Sequence, residues 1–142
     1  HELIFVFKKG TAPHVNSFEL GQHGRYRTNV WNYRGVNTMR AGRMEELQLH
    51  PTVKPVQMIA DAIKDVSGRG EIVLDVFGGS GSTLIAAEKT GRRARLIELD
   101  PIYCDRILAR WERLAKDAAE QLVCGWPPAA DRGIANDLEA AE

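Results

Sequence analysis

Three hydrophobic periods alternate along this chain of 142 residues. The first run, Glu2 to Phe7, is short, aromatic and β-branched, and ends in Lys8-Lys9-Gly10. That composition predicts a strand. A buried strand needs a neighbour on each side and nothing precedes this one, so the chain is expected to open in the middle of a domain. Periodicity is then weak from Gly10 to Leu49, an unusual length for a connector and one that is often functional. From Val56 to Val66 the apolar residues Val56, Ile59, Ala60, Ile63 and Val66 fall three and four apart, which predicts an amphipathic helix. Pro55 suits its first turn and Gly68 its end. Glu71 to Val76 predicts a strand buried on both faces through Ile72-Val73-Leu74. Ser82 to Thr90 predicts a helix capped by Gly91. Ala94 to Leu99 predicts a further strand. Pro101 opens a last helix through about Leu122, with Ile102, Ile107, Leu108, Trp111, Leu114, Ala115 and Ala118 on one broad face. Gly125-Trp126-Pro127-Pro128 cannot continue a helix. The alanine- and acid-rich segment 123–142 is expected to be a flexible tail.

The strand–turn–helix–strand unit carries the chemistry. Val73-Leu74-Asp75-Val76-Phe77-Gly78-Gly79-Ser80-Gly81-Ser82-Thr83 places a glycine turn between strand and helix, and Leu96-Ile97-Glu98-Leu99-Asp100 ends the next strand on carboxylates. Glycine lets backbone approach a ligand that a Cβ would exclude. The helix N-terminus supplies unpaired N–H groups. A carboxylate after the next strand can accept from a ribose diol. Asp75 and Glu98 lie 23 positions apart, near the roughly 20 that one βαβ unit needs. A nucleotide P-loop would require a lysine after the last glycine, and none follows Gly81. A dinucleotide turn would require a third glycine where Leu84 stands. S-adenosylmethionine carries no phosphate; its methionine end would pass the turn, Glu98 would take its diol and Leu99 its adenine face. A βαβ unit without a ligand is the competing reading, but so many glycines are costly to order for packing alone. Thr52 and Lys54, just before the first helix, are placed to reach a ligand. His50 has no second histidine or cysteine nearby and reads as a cap or core-edge residue.

Charge is balanced overall, 19 basic residues against 19 acidic, but unevenly spread. Lys8 to Glu45 holds seven basic residues and two acidic, whereas Glu112 to Glu142 holds three basic and seven acidic. A basic front suggests an anionic partner. Its centre, Arg25-Tyr26-Arg27-Thr28-Asn29-Val30-Trp31-Asn32-Tyr33-Arg34, interleaves cations with aromatics. Cations meet phosphates and aromatic faces stack on bases. Equally, Trp31 and Tyr33 would anchor a solvated loop to the core. Cys104 and Cys124 lack metal spacing and fit a reducing, cytoplasmic setting, with Cys104 as an apolar packing residue. No apolar run approaches the roughly 18 residues of a membrane span.

Taken together, the motifs resemble those of a known family. Asp75-Val76-Phe77-Gly78-Gly79-Ser80-Gly81-Ser82-Thr83 resembles the Asp-x-Phe-x-Gly-Ser-Gly-Thr/Ser-Thr motif of DNA amino-methyltransferases. His50-Pro51-Thr52-Val53-Lys54-Pro55 resembles their Lys-Pro motif, and Ile97-Glu98-Leu99-Asp100-Pro101-Ile102-Tyr103 their acidic motif. The motif order is that of the permuted β group, in which the catalytic half comes first. The resemblance implies an α/β, Rossmann-like S-adenosylmethionine-dependent methyltransferase fold, incomplete here at about three strands and three helices. It implies methylation of adenine N6 or cytosine N4 in double-stranded DNA. Thr52, Lys54 and Pro55 would lie beside the cofactor. Asp75, Phe77, Gly79, Ser80, Gly81 and Thr83 would line its methionine end, and Glu98 would bind the ribose. Residues 1–122 would be the C-terminal part of a methyltransferase domain, with 50–115 the cofactor part and 10–49 the target-recognition segment. Arg25, Arg27, Trp31 and Tyr33 are its DNA-contact candidates.

One family motif is missing: the catalytic Asp/Asn/Ser-Pro-Pro-Tyr/Phe/Trp. Its polar side chain and a proline carbonyl accept the amine hydrogens, and its aromatic residue stacks on the flipped base. Trp126-Pro127-Pro128-Ala129 lacks both flanking groups. The expected partners are therefore DNA, an N-terminal catalytic half of the same enzyme and, in an oligomer, a second copy; no membrane contact is expected. The chain alone is expected to bind S-adenosylmethionine weakly or not at all and to be inactive. A non-catalytic cofactor- or DNA-binding scaffold is the alternative.

Overall fold

Helix, strand, helix, strand, helix is the order of elements in the computed structural model, which describes residues 3–17, 19, 28–33 and 53–122. They are α1 (Val56–Val66), β1 (Ile72–Asp75), α2 (Ser82–Thr90), β2 (Arg93–Leu96) and α3 (Pro101–Ala115). β1 and β2 pair in parallel, from Ile72 opposite Arg93 to Asp75 opposite Leu96. Their connection through α2 makes a βαβ unit, the repeat from which Rossmann-like α/β sheets are built. Ala60 and Ile63 of α1 meet Ala86 of α2 in a small core, closed by Val56, Ile59 and Val73. The three- and four-residue spacing on α1 thus faces the sheet and α2, except that Val66 at its end is exposed. α3 crosses to α2, where the Trp111 indole N–H donates to Glu88 at 3.1 Å.

Caps fix the ends. Pro55 is the residue before α1 rather than inside it, and its carbonyl accepts from Met58 and Ile59. Gly91 adopts φ +70° and returns its N–H to Ala87 and Glu88, ending α2. Asp100 accepts from the Ile102 N–H at 2.9 Å and Pro101 follows, starting α3. Arg92 donates to the Ser67 carbonyl and hydroxyl and to the Thr90 carbonyl, joining the end of α1 to the end of α2.

Further expectations change. Leu3–Phe7 is exposed and joins no ladder, so the described residues hold two strands and not three. A strand exists by pairing, and among the described residues none lies beside it. β1 is not buried on both faces: Ile72 and Leu74 are 56% and 64% exposed, because the helices cover the Val73 side. β2 stops at Leu96 rather than Leu99: Ile97 still donates to the Asp75 carbonyl, but the Glu98 side chain then takes the Leu99 and Asp100 N–H groups. α3 stops at Ala115, well before Leu122. Lys116 turns left-handed at φ +56°, and the Glu112 carboxylate draws the Ala119 N–H back at 2.7 Å. Ile107 is the buried apolar residue of α3, whereas Ile102, Leu108 and Leu114 are exposed. Segment 123–142, with Cys124 and Trp126-Pro127-Pro128, lies outside the described residues, as does His50.

The residues before α1 meet it at two points: the Ser17 N–H donates to the Asp65 carbonyl at 3.1 Å, and Tyr33 reaches a carboxylate. The Tyr33 hydroxyl donates to Asp61 Oδ2 at 2.9 Å, and Trp31 meets Tyr33 edge-on at 6.3 Å. Gln57 donates to Asp61 Oδ1 at 3.0 Å and Lys64 approaches it to 2.7 Å. Burial pushes the Asp61 carboxyl up, but the hydrogen bonds from Lys64, Gln57 and Tyr33 and the Lys64 charge outweigh it, leaving it below the usual aspartate range. A depressed carboxylate stabilises the fold above its unfolded pKa and loses that contribution as pH falls through the folded one. Thermal stability is therefore expected to fall below about pH 4. The Asp61→Asn variant should show a shallower decline there. Because the group is partly solvated, the difference should stay under about 1 kcal/mol. Parallel melting curves of the two proteins between pH 7 and pH 3 check this; identical slopes would remove Asp61 from the account.

Candidate cofactor site

The site lies at the carboxyl ends of the two parallel strands, where open α/β sheets place ligands. Asp75 ends β1 and spends both oxygens on the turn it starts. Oδ1 accepts from the Phe77 N–H at 2.9 Å and Oδ2 from the Thr83 hydroxyl at 2.6 Å. The Gly78 N–H donates to the Ile97 carbonyl at 2.9 Å, and the Gly81 N–H to the Gly78 carbonyl at 2.8 Å. Gly79 and Gly81 hold φ values of +53° and +75°, which glycine adopts without strain. Gly81 caps α2, so the helix's first N–H groups open at the turn.

Glu98 closes the site from the other strand. Its Oε2 accepts from the Gly79 N–H at 2.6 Å, and its Oε1 from Leu99 and Asp100 at 2.9 and 3.0 Å. One carboxylate thus gathers donors from the glycine turn and from its own loop. Leu99 follows it in the chain and Phe77 lies in the facing turn, 96% and 85% exposed. Two apolar side chains standing open beside a carboxylate suit a ligand with a flat apolar ring and a diol.

The Lys-Pro segment reaches the same turn. The Ser82 hydroxyl donates to the Lys54 carbonyl at 3.1 Å, and the Ser80 and Ser82 hydroxyls lie 3.1 Å apart. Arg110 of α3 donates to the Ser80 carbonyl at 2.9 Å and to Ser82 Oγ at 3.2 Å. The Cys104 sulfur lies 3.7 Å from the Glu98 carbonyl. Burial, and then the charges of Glu98, Asp105 and Asp100, push its thiol up. It is therefore a poor nucleophile, in keeping with a packing role. Among the described residues no cluster of histidine, cysteine and carboxylate could hold a metal ion.

Comparison with known proteins bears on the same stretch. The model of a DNA methylase family matches residues 1–110. The chain belongs to this DNA methylase family, of the N6/N4 type. It is 34% identical over 100 residues to the DNA adenine methyltransferase YhdJ of Escherichia coli K12, covering 70% of this chain and 33% of that protein. It is 33% identical over 93 residues to the type II methyltransferase M.ScaI of Streptomyces caespitosus, covering 66% of this chain and 31% of that protein. The chain thus spans about a third of the length of these relatives. Among solved structures it is similar to the putative DNA modification methylase TTHA0409 of Thermus thermophilus, determined in complex with S-adenosyl-L-methionine. That similarity is 40% in sequence over 44% of this chain and 26% of the other, at a TM-score of 0.41.

Within this methylase chain, Lys54, Asp75, Gly79, Ser80, Gly81, Thr83 and Glu98 come together through hydrogen bonds at one turn, with Pro55 next to Lys54 and Phe77 inside the turn. Thr52, Arg25 and Arg27 lie outside the described residues. Tyr33 is tied to α1 through Asp61, and Trp31 meets Tyr33 edge-on. Sequence reasoning missed Ser82 and Arg110. Ser82 stands inside the glycine motif and was within reach of it. Arg110 carries no spacing signal: 30 positions separate it from Ser80. Among the described residues no helix is long and apolar enough to cross a membrane.

Proposed function

We propose that this chain is the methyl-donor-binding part of a permuted, β-group DNA amino-methyltransferase, and that its ligand is S-adenosylmethionine. The observation that carries this reading is the carboxylate of Glu98 bonded to the Gly79 N–H at the open ends of β1 and β2. When bound, the cofactor supplies an electrophilic methyl group on sulfur. Glu98 takes the ribose hydroxyls, which compete with the Gly79 N–H for its lone pairs. Leu99 and Phe77 cover apolar faces of the ligand. The α2 N-terminus favours a carboxylate, so the methionine end lies along Gly79, Ser80 and Gly81, with Thr52, Lys54 and Pro55 at its side. Asp75 and Thr83 hold the turn in shape through their bond to each other.

The acceptor amine, adenine N6 or cytosine N4 of double-stranded DNA, belongs to a catalytic half with an Asp-Pro-Pro-Tyr-like motif, which these 142 residues lack. The uncovered Ile72 and Leu74 side of β1 suits such a half as its packing face. A second copy is the competing occupant. Segment 10–49 serves target recognition, with Arg25 and Arg27 against phosphates and Trp31 and Tyr33 near them.

Titration calorimetry of the purified chain with S-adenosylmethionine tests the first part, and binding is the expected result. Addition of a polypeptide bearing the catalytic motif tests the second: labelled methyl should reach duplex DNA with both pieces present and not with this chain alone. Absence of binding in the chain and in the combined pieces would sink the reading. Transfer by the chain alone would sink the division of labour.

A further inference from the structure

The two serines of the glycine turn are nearly enclosed, Ser80 8% and Ser82 4% exposed, so their hydroxyls have to be satisfied by protein. A serine hydroxyl has one proton and two lone pairs. Ser82 gives its proton to the Lys54 carbonyl, which can only accept. Its oxygen is left as an acceptor, for the Arg110 guanidinium at 3.2 Å and for the Ser80 hydroxyl at 3.1 Å. The Ser80 proton is thereby assigned to Ser82. The same Arg110 nitrogen holds the Ser80 carbonyl at 2.9 Å, while the Gly81 N–H of that peptide is held by the Gly78 carbonyl. The Ser80–Gly81 peptide is pinned at both ends, and α2 begins immediately after it.

We propose that Arg110 is a positioning residue for the methionine half of the cofactor. From α3 it joins the Lys-Pro segment, the glycine turn and the start of α2 into one cradle. This rests on the reading of S-adenosylmethionine as ligand. Arg110 acts through Ser80 and Ser82 and need not touch the ligand. A methionine at 110 would keep the aliphatic stem and lose every donor. Ser80 O and Ser82 Oγ would then each lose a charge-assisted partner, and the turn would loosen at the amino-acid end of the ligand. The ribose end would keep Glu98 and its bonds to Leu99 and Asp100.

Two ligands separate this role from a general loss of structure. S-adenosylmethionine spans both ends of the cradle, whereas 5′-methylthioadenosine lacks the amino-acid portion. By calorimetry, Arg110→Met is expected to weaken S-adenosylmethionine about ten-fold or more while leaving 5′-methylthioadenosine within about two-fold. Arg110→Lys, which keeps one charged donor, should recover part of the loss. Equal weakening of both ligands, or of neither, overturns the proposal. If Arg110→Met does not fold, the same ratio is read on Arg110→Lys, where a selective loss of about three-fold supports it and an unselective one overturns it. Failure of the unsubstituted chain to bind either ligand would instead count against the cofactor reading itself.

Discussion

Glu98→Ala is expected to abolish measurable binding of S-adenosylmethionine, a loss of about a hundred-fold or more. Hydrogen bonds to a charged acceptor each contribute about 1.5–3 kcal/mol, and a ribose diol offers two. The substitution also acts before the ligand arrives. Glu98 joins the Gly79 N–H to those of Leu99 and Asp100, so alanine leaves three backbone donors without this acceptor and lets the two sides of the site separate. Glu98→Gln should be nearly as damaging. An amide has one acceptor oxygen, and its NH2 would face either Gly79 or the Leu99–Asp100 pair, donor against donor. Calorimetry on the two variants checks this, with circular dichroism to confirm that the helices remain. A loss below about three-fold in both would remove Glu98 from the ribose site.

The largest expected loss of stability comes from adding a single methyl group. Gly81→Ala has to place an alanine at φ +75° and its Cβ 3.0 Å from Cγ1 and Cγ2 of Ile107. The left-handed conformation costs a non-glycine residue about 1–2 kcal/mol, and overpacking a well-filled site costs about 1–3 kcal/mol. Ile107 is buried and rooted on α3, so it has little room to move. A total of about 2–5 kcal/mol is expected, which would lower the melting temperature by about 10 °C or more for a unit of this size. Gly70→Ala is the control. Gly70 has φ +78°, and a Cβ there would meet nothing within 4 Å. It carries the backbone cost alone, so the difference between the two variants reports the clash with Ile107. Equal melting temperatures would show that α3 yields at this contact.

The parts of this fold that read directly from sequence are those decided locally. The α1 stripe from Val56 to Ile63, the glycines that start and end α2, and Asp100-Pro101 at the start of α3 each act within a turn or two of themselves. What did not read was decided at a distance. Leu3–Phe7 has the composition of a strand, but composition does not supply a partner. Ile72-Val73-Leu74 has the apolar run of a doubly covered strand, yet which faces are covered depends on where the helices cross. The end of α3 is a local exception: Glu112 draws back the Ala119 N–H, a bond that neither composition nor periodicity marks. In the site, Gly79 and Glu98 were evident because motif and spacing both marked them. Asp75 stands in the same motif, and its two oxygens accept from Phe77 and Thr83, a pairing the motif does not announce. Arg110 sits among the charged residues of an amphipathic helix, and only its reach across to Ser80 sets it apart.

The bonds that shape the cradle, from Lys54 to Arg110, join residues no more than 30 positions apart. Closing loops of that length costs little entropy, and each doubling adds only about 0.6 kcal/mol. Most of these bonds still span 19 to 30 positions around a parallel strand pair, so they form together with the sheet rather than before it. The donor cradle is therefore one cooperative unit, whose polar framework closes within a single βαβ repeat and its flanking helices. Turn, strand ends and helix starts are thus gained or lost together, and a substitution at any one of them is felt by the whole cradle.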